Sequence, residues 1–168
     1  IVFVRTPELG KVKTRLAKTI GDRAALKIYK ILLKHTASVL QKVGGDKVVY
    51  YSEEIQENDV WEARYFQKKR QKGTDLGERM QNAFETAFED DYEKVLIIGS
   101  DLFDLKPTHI TTAFKALETD DFAVGPSLDG GYYLLGMKQL HPILFKNKKW
   151  GAATVLESAL NDLQQEKV

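Results

Sequence analysis

The stretch Lys94-Val95-Leu96-Ile97-Ile98-Gly99-Ser100-Asp101 decides the fold. Its apolar run predicts a buried strand, and the strand stops abruptly at Gly-Ser-Asp. In an open α/β sheet, ligands bind just past the carboxyl ends of the strands. An aspartate at that point can hold a divalent cation against nucleotide phosphates. Mg²⁺ typically needs only one or two carboxylates when substrate phosphates supply other ligands. The plainer reading makes Asp101 a cap or turn residue, and Asp104 fits either role.

Outward from this strand, helical and extended patterns alternate. Ile1 to Val4 is a short β-branched and aromatic run, predicted as a strand. A loop over Thr6 to Lys13 follows, with helical signals from about Lys13. Asp22 is the expected N-cap of the next helix, and Gly44-Gly45 its end. Within it Ala25, Ile28, Tyr29, Leu32, Val39, Leu40 and Val43 form an amphipathic stripe. Lys47 to Ser52 reads as a strand, Glu54 to Phe66 as partly helical around Val60-Trp61, and Gln67 to Lys72 as a polar, basic run. Asp75, with Glu78 three residues on, predicts a capped helix to about Phe88. Pro107 opens a helix to about Leu117. Strands are expected over Phe122–Gly125 and Tyr132–Met137, and a last helix from Ala153 to about Leu163. Such alternation implies α/β architecture with a mainly parallel sheet and helices on both faces, the late strand pair being antiparallel.

Composition narrows the function classes. A chain of 168 residues suggests one domain, here 1–168. The 25 basic and 24 acidic residues leave a net charge of +1, so no global field steers nucleic acid or membrane. Any anion site must come from local clustering. There are no cysteines, which excludes disulfides, thiolate metal sites and cysteine nucleophiles. That fits a reducing cytoplasm. No apolar run is long enough to span a bilayer. No leader is visible. The chain starts at Ile1 inside an apolar run without a methionine, so residues are expected upstream.

Three further segments carry candidate chemistry. In the first loop Arg5, Lys11, Lys13 and Arg15 surround Gly10, after a strand and before a helix. Backbone N–H groups at a helix start attract anions, and basic side chains add full charges. The pattern suits a diphosphate or triphosphate, or else a solvated basic face. It is not a P-loop, because Gly10-Lys11 is followed by Val12. Asp129-Gly130-Gly131 is first a hairpin signal. Alternatively its glycines admit substrate close to the backbone while Asp129 faces Asp101 across a metal. Asp75-Leu76-Gly77 caps its helix or contacts a nucleotide. His35, His109 and His141 show no paired metal spacing. Ser100 lacks the context of a nucleophile elbow. The aromatic and basic run Arg64 to Lys72 lacks the broader basic surface that nucleic-acid binding needs.

Taken together, Pro7 to Leu16, Thr74 to Met80, Gly99 to Leu105, Gly125 to Gly136 and Trp150-Gly151-Ala152 form a pattern. It resembles a bacterial family of MobA-related, glycosyltransferase-like (selenodomain-associated) transferases. The resemblance implies the nucleotide-diphospho-sugar transferase fold (GT-A-like), a three-layer α/β/α sandwich with a mixed, mostly parallel sheet. It implies a divalent-metal-dependent transferase acting on a nucleotide or nucleotide sugar, with glycosyl and nucleotidyl transfer both open and the acceptor unknown. Asp101 then matches the Mg or Mn ligand, Asp129 a second acidic position near the metal, and Lys13 and Arg15 the groups that neutralise the leaving phosphates. Candidate nucleotide-binding residues are Gly10, Lys11, Lys13, Arg15, Asp75, Gly99 and Ser100. Candidate substrate-binding residues are Asp129, Gly130, Gly131 and Tyr132. Two departures from the pattern stand out. Phe103 stands where the family has proline, and Gly151-Ala152 replaces Ser-Thr. These departures motivate an alternative, a catalytically silent nucleotide-binding or interaction protein. A third reading makes all these loops turns and caps.

Overall fold

The computed structural model describes residues 1–166. The chain forms two compact units, one from Ile1–Gln71 with Gly99–Thr108 and one from residues 72–98 with 109 onward. In the first unit, strand β1 (Val2–Val4) leads through a loop to helix α1 (Thr14–Ile20) and helix α2 (Asp22–Leu40). Strands β2 (Val48–Tyr51) and β3 (Gln67–Arg70) follow. β2 lies between β1 and β3 and runs parallel to both, with Val4 opposite Tyr51 and Tyr51 opposite Arg70. A parallel neighbour needs a long crossover, and α2 supplies it.

Several expectations change here. α2 begins at Asp22 itself with Gly21 as N-cap, so Asp22 sits in the first turn, where its charge meets the positive helix end. α2 stops at Leu40, short of Gly44-Gly45. Of its stripe, Ala25, Tyr29, Leu32, Val39 and Leu40 are buried, as is Val43 beyond the helix, but Ile28 is exposed. The segment between β2 and β3 contains no helix. Asp59 organises it instead. The Asp59 carboxylate accepts from Trp61 N–H at 3.0 Å, from the Tyr51 hydroxyl and from Lys68 Nζ at 3.0 Å. Trp61 is thereby seated in the core, fully buried. The basic run Gln67–Arg70 is a strand, held by backbone pairing to β2 rather than by an apolar face.

The second unit holds α3 (Leu76–Glu89), β4 (Val95–Gly99) up to Ile98, α4 (Pro107–Ala116) from His109, β5 (Phe122–Pro126), β6 (Tyr132–Met137), a short 3-10 turn over Pro142–Phe145, and α5 (Val155–Glu166). β6 is antiparallel to both β4 and β5. Leu134, Leu135 and Met137 of β6, Leu117, Phe84 and Leu144 are almost completely buried. The 3-10 turn has no counterpart in the sequence pattern, and α5 starts two residues later than expected. The fold is thus α/β with both parallel and antiparallel strand pairing, as the sequence predicts. Among the described residues, no helix is long and apolar enough to cross a membrane.

Candidate functional site

The loop after β1 ends at Lys13, the N-cap of α1, which takes a left-handed backbone conformation (φ 47°) and offers no side-chain cap. Its ammonium lies 2.6 Å from Asp101 Oδ2. The basic amino-terminal loop and the carboxylate after β4 therefore meet directly. Both side chains are partly exposed, 30% and 42%. A pair in that setting contributes only about 0–1 kcal/mol, so an incoming ligand can open it cheaply.

Beneath the pair, α2 ties both loops to the core. The Tyr29 hydroxyl donates to the Arg5 carbonyl at 2.9 Å and accepts from Arg5 N–H at 3.1 Å. Its oxygen is also 3.3 Å from Ser100 Oγ. The single Tyr29 proton goes to Arg5, which leaves the Ser100 hydroxyl as donor to Tyr29. One turn pair further along α2, Thr36 Oγ1 donates to the Ser100 carbonyl at 2.9 Å. Tyr29, Thr36 and Ser100 are all buried. Burial raises the Tyr29 pKa above its ordinary value, keeping the hydroxyl protonated and able to donate. His35 Nε2 meets the Leu105 carbonyl at 3.0 Å, and its ring packs 5.9 Å from that of Phe103. The loop that carries Phe103 is thus held at Ser100 and Leu105 by α2.

The other candidates of the first loop divide. Lys11 pairs with Glu8 at 2.6 Å, and the hydrogen bond it donates to that carboxylate, with the carboxylate's charge, raises the Lys11 pKa. Arg15 is exposed and meets no charged partner among the described residues. Gly10 has positive φ (75°) in the turn that carries Lys11 and Lys13. Gly99 ends β4 and leads into Ser100.

In the second unit, Asp75 is the N-cap of α3 and accepts from Glu78 N–H at 2.9 Å. Glu78 reaches back to Thr74, accepting from its hydroxyl at 2.6 Å and its N–H at 2.7 Å. Asp129 stands at the tip of the β5–β6 hairpin, where Oδ1 accepts from Ser127 Oγ and from Gly131 N–H at 3.2 Å. Gly130 accepts from Leu156 N–H at 3.0 Å, which fastens the tip to α5. The Tyr132 hydroxyl is buried without a hydrogen-bond partner among the described residues, and burial pushes its pKa up to about 12. No three His, Asp or Glu groups converge as a metal cluster among the described residues.

Sequence reasoning did not single out Tyr29 and Thr36 as supports of the candidate site. Tyr29 was legible as a member of the α2 stripe, but its spacing reveals only the ring and not the hydroxyl's partners.

In comparison with solved structures, the chain is similar to a candidate nucleotide-diphospho-sugar transferase from Desulfovibrio desulfuricans G20, with a TM-score of 0.91 and 32% sequence identity. The match covers 99% of this chain and 74% of that one. The chain has that protein's fold. No curated protein matches it in sequence. Residues 35–152 match the model of a family described as uncharacterized protein conserved in bacteria (DUF2064). By that match, the chain belongs to the DUF2064 family.

Proposed function

We propose that this protein is a transferase that acts on a nucleotide or nucleotide sugar, of the MobA-related type that its motifs resemble. The observation that carries the reading is the 2.6 Å approach of Lys13 to Asp101. It joins a phosphate-binding type of group to a cation-binding type of group at the ends of β1 and β4. The fold shared with a candidate nucleotide-diphospho-sugar transferase supports the same class.

In this reading Lys13 releases Asp101 when substrate arrives and turns its charge to the phosphates. Arg15, exposed and uncommitted among the described residues, adds a second positive charge to the departing diphosphate or pyrophosphate. Such chemistry asks for positioning and charge neutralisation rather than a nucleophilic side chain. Asp101 would hold Mg²⁺ or Mn²⁺, with donors from phosphate and water completing the shell. One carboxylate suits that partial role, in which substrate supplies the other donors, better than a closed protein cage. When bound, the cation would screen the phosphate oxygens. The Ser100 anchorage keeps the Asp101 loop in position. Gly10, Lys11, Gly99, Asp75, Asp129, Gly130, Gly131 and Tyr132 remain proposed substrate contacts. The buried, unpartnered Tyr132 hydroxyl supports its inclusion, since a ligand's polar atom would satisfy it. The absence of cysteine is compatible with a cytoplasmic setting.

Calorimetric titration of nucleoside triphosphates, sugar nucleotides and Mn²⁺ tests the proposal. Asp101→Asn should abolish metal-dependent nucleotide binding while the thermal midpoint without ligand stays within a few degrees. Asp129→Asn, run the same way, tells whether that residue adds a second metal ligand. Undiminished metal–nucleotide binding by Asp101→Asn sinks the assignment. Pyrophosphate release separates nucleotidyl from glycosyl transfer. The altered Phe103 and Gly151-Ala152 favour one rival, a nucleotide-binding protein without turnover, for which binding is intact and no product forms with any donor.

A further inference from the structure

The outer face of α2 carries a feature that the site above does not use. Arg23, Lys27, Lys30 and Lys34 follow one another at spacings of four, three and four residues, so they share one stripe. All four are exposed. None has an ion-pair or hydrogen-bond partner among the described residues. With Leu26, Ile31 and Val60 they line an open groove of about 520 Å³. Ile31 is 54% exposed within it.

This arrangement costs the free chain stability. Like charges at helical neighbour positions destabilise by about 0.2–0.5 kcal/mol per pair, and the stripe contains three such neighbouring pairs. Arg23 also lies in the first turn of the helix, at its positive end, where cations are disfavoured. The helix has one carboxylate, Asp22, to set against them. Three acids of the adjoining loop, Asp59, Glu54 and Glu62, are turned to other tasks, Glu62 pairing with Arg64 at 2.8 Å. Asp59 binds Tyr51, Trp61 and Lys68, and Glu54 pairs with Arg70. No carboxylate lines the groove. A local arrangement that opposes folding, with no internal compensation, points to a use outside the folded chain.

We propose that this groove docks an acidic peptide segment of a partner protein, one that carries aliphatic side chains among its carboxylates. The four cations span about 16 Å along the helix axis, at 1.5 Å per residue. An extended strand of about five residues covers that length at about 3.3 Å each. Its carboxylates would pair with the cations, and an aliphatic side chain would cover Leu26, Ile31 and Val60. Single-stranded nucleic acid fits less well, because such sites stack bases on aromatic rings and this lining has none. A membrane-binding helix shows a broad apolar face to the bilayer. Here the apolar atoms share a concave groove with charged groups.

The test uses the intact chain and a fluorescein-labelled eight-residue peptide of aspartate and glutamate with leucine at every third position. Its probes for comparison are the amide isostere of that peptide, an oligothymidine and phosphatidylserine vesicles. The acidic peptide should bind and weaken as salt rises, while the amide version should not bind. Lys27→Glu with Lys30→Glu should lower affinity more than tenfold without lowering the thermal midpoint, since the change relieves like-charge repulsion. Ile31→Asn should lower it severalfold at unchanged salt dependence. Equal peptide affinity in the double variant overturns the proposal. So does binding of oligothymidine or vesicles in place of the peptide, or a self-association of the chain that the double variant abolishes.

Discussion

Lys13 and Asp101, 88 positions apart in the chain, meet as a 2.6 Å ion pair. The ammonium neutralises the carboxylate that the proposed function assigns to a metal, so lysine and metal compete for one oxygen pair. Lys13→Ala should therefore act in opposite directions on two ligands. Mn²⁺ alone should bind up to about fivefold more tightly, because a competing pair worth at most about 1 kcal/mol is gone. Nucleoside triphosphate should bind more weakly, and more so than monophosphate. Manganese electron paramagnetic resonance and nucleotide calorimetry read the two effects separately. Parallel losses for both ligands would mean that Lys13 merely supports the loop.

The Tyr29 and Thr36 hydroxyls converge on Ser100 from one face of α2. Tyr29→Phe strips the Arg5 backbone groups of their buried partner and should cost about 1–3 kcal/mol in urea unfolding. Thr36→Val removes the donor to the Ser100 carbonyl and should cost about as much. Because both act on one residue, the double variant should depart from additivity by about 0.5 kcal/mol or more. Strict additivity would show that the two bonds brace the loop independently.

Glu78 gives a pH signature to the start of α3. The Thr74 hydroxyl, and then the Thr74 N–H, hold its carboxyl below the ordinary carboxylate range. The charged form thus favours the folded state. That stabilisation is complete above the unfolded value of about 4.3 and fades as pH falls through the lower folded value. Glu78→Gln should melt earlier than the parent at pH 7, and the two melting curves should converge as the solution is acidified below the folded value. A gap that persists unchanged into strong acid would assign the effect to shape rather than charge.

Two glycines with nearly the same backbone angle should respond very differently to alanine. Gly130 (φ 82°) has no room, since a Cβ would lie 1.9 Å from the Ala153 carbonyl oxygen. Gly151 (φ 83°) has nothing within 4 Å of that point. Gly151→Ala should cost only the left-handed backbone penalty, about 1–2 kcal/mol. Gly130→Ala adds a backbone collision, so the sum should reach about 3 kcal/mol or more. Thermal unfolding of the two variants decides it, and equal losses would mean the hairpin tip can move aside.

Where side chains announce their own surroundings, the fold was legible. β1, β4 and β6 are apolar enough to be read directly, and Asp75 with Glu78 marks the start of α3 through two residues that do hydrogen-bond as a cap. β3 was illegible because Gln67–Arg70 is held through its backbone, which any sequence possesses. The segment around Trp61 looked helical because one buried aromatic beside one valine suits any buried element. What shapes it is Asp59, whose three partners lie two, eight and nine residues away. Ile28 shows the limit of periodicity, since a stripe drawn from spacing is wider than the face that packs. Of the candidate site, the residue types at the strand ends could be read. The direct contact of Lys13 with Asp101 could not, because it depends on a left-handed turn at a lysine.

Helix α2 is the shared mooring of the segment after β1, held at Arg5, and the segment after β4, held at Ser100. On the proposed function, a random-mutagenesis screen for lost nucleotide binding would return hits at positions 29 and 36 alongside hits at 13 and 101. Only the first group would be recoverable by raising overall robustness elsewhere in the protein. Suppressor genetics would then separate the positions that brace these loops from those that the proposed function assigns to the ligand.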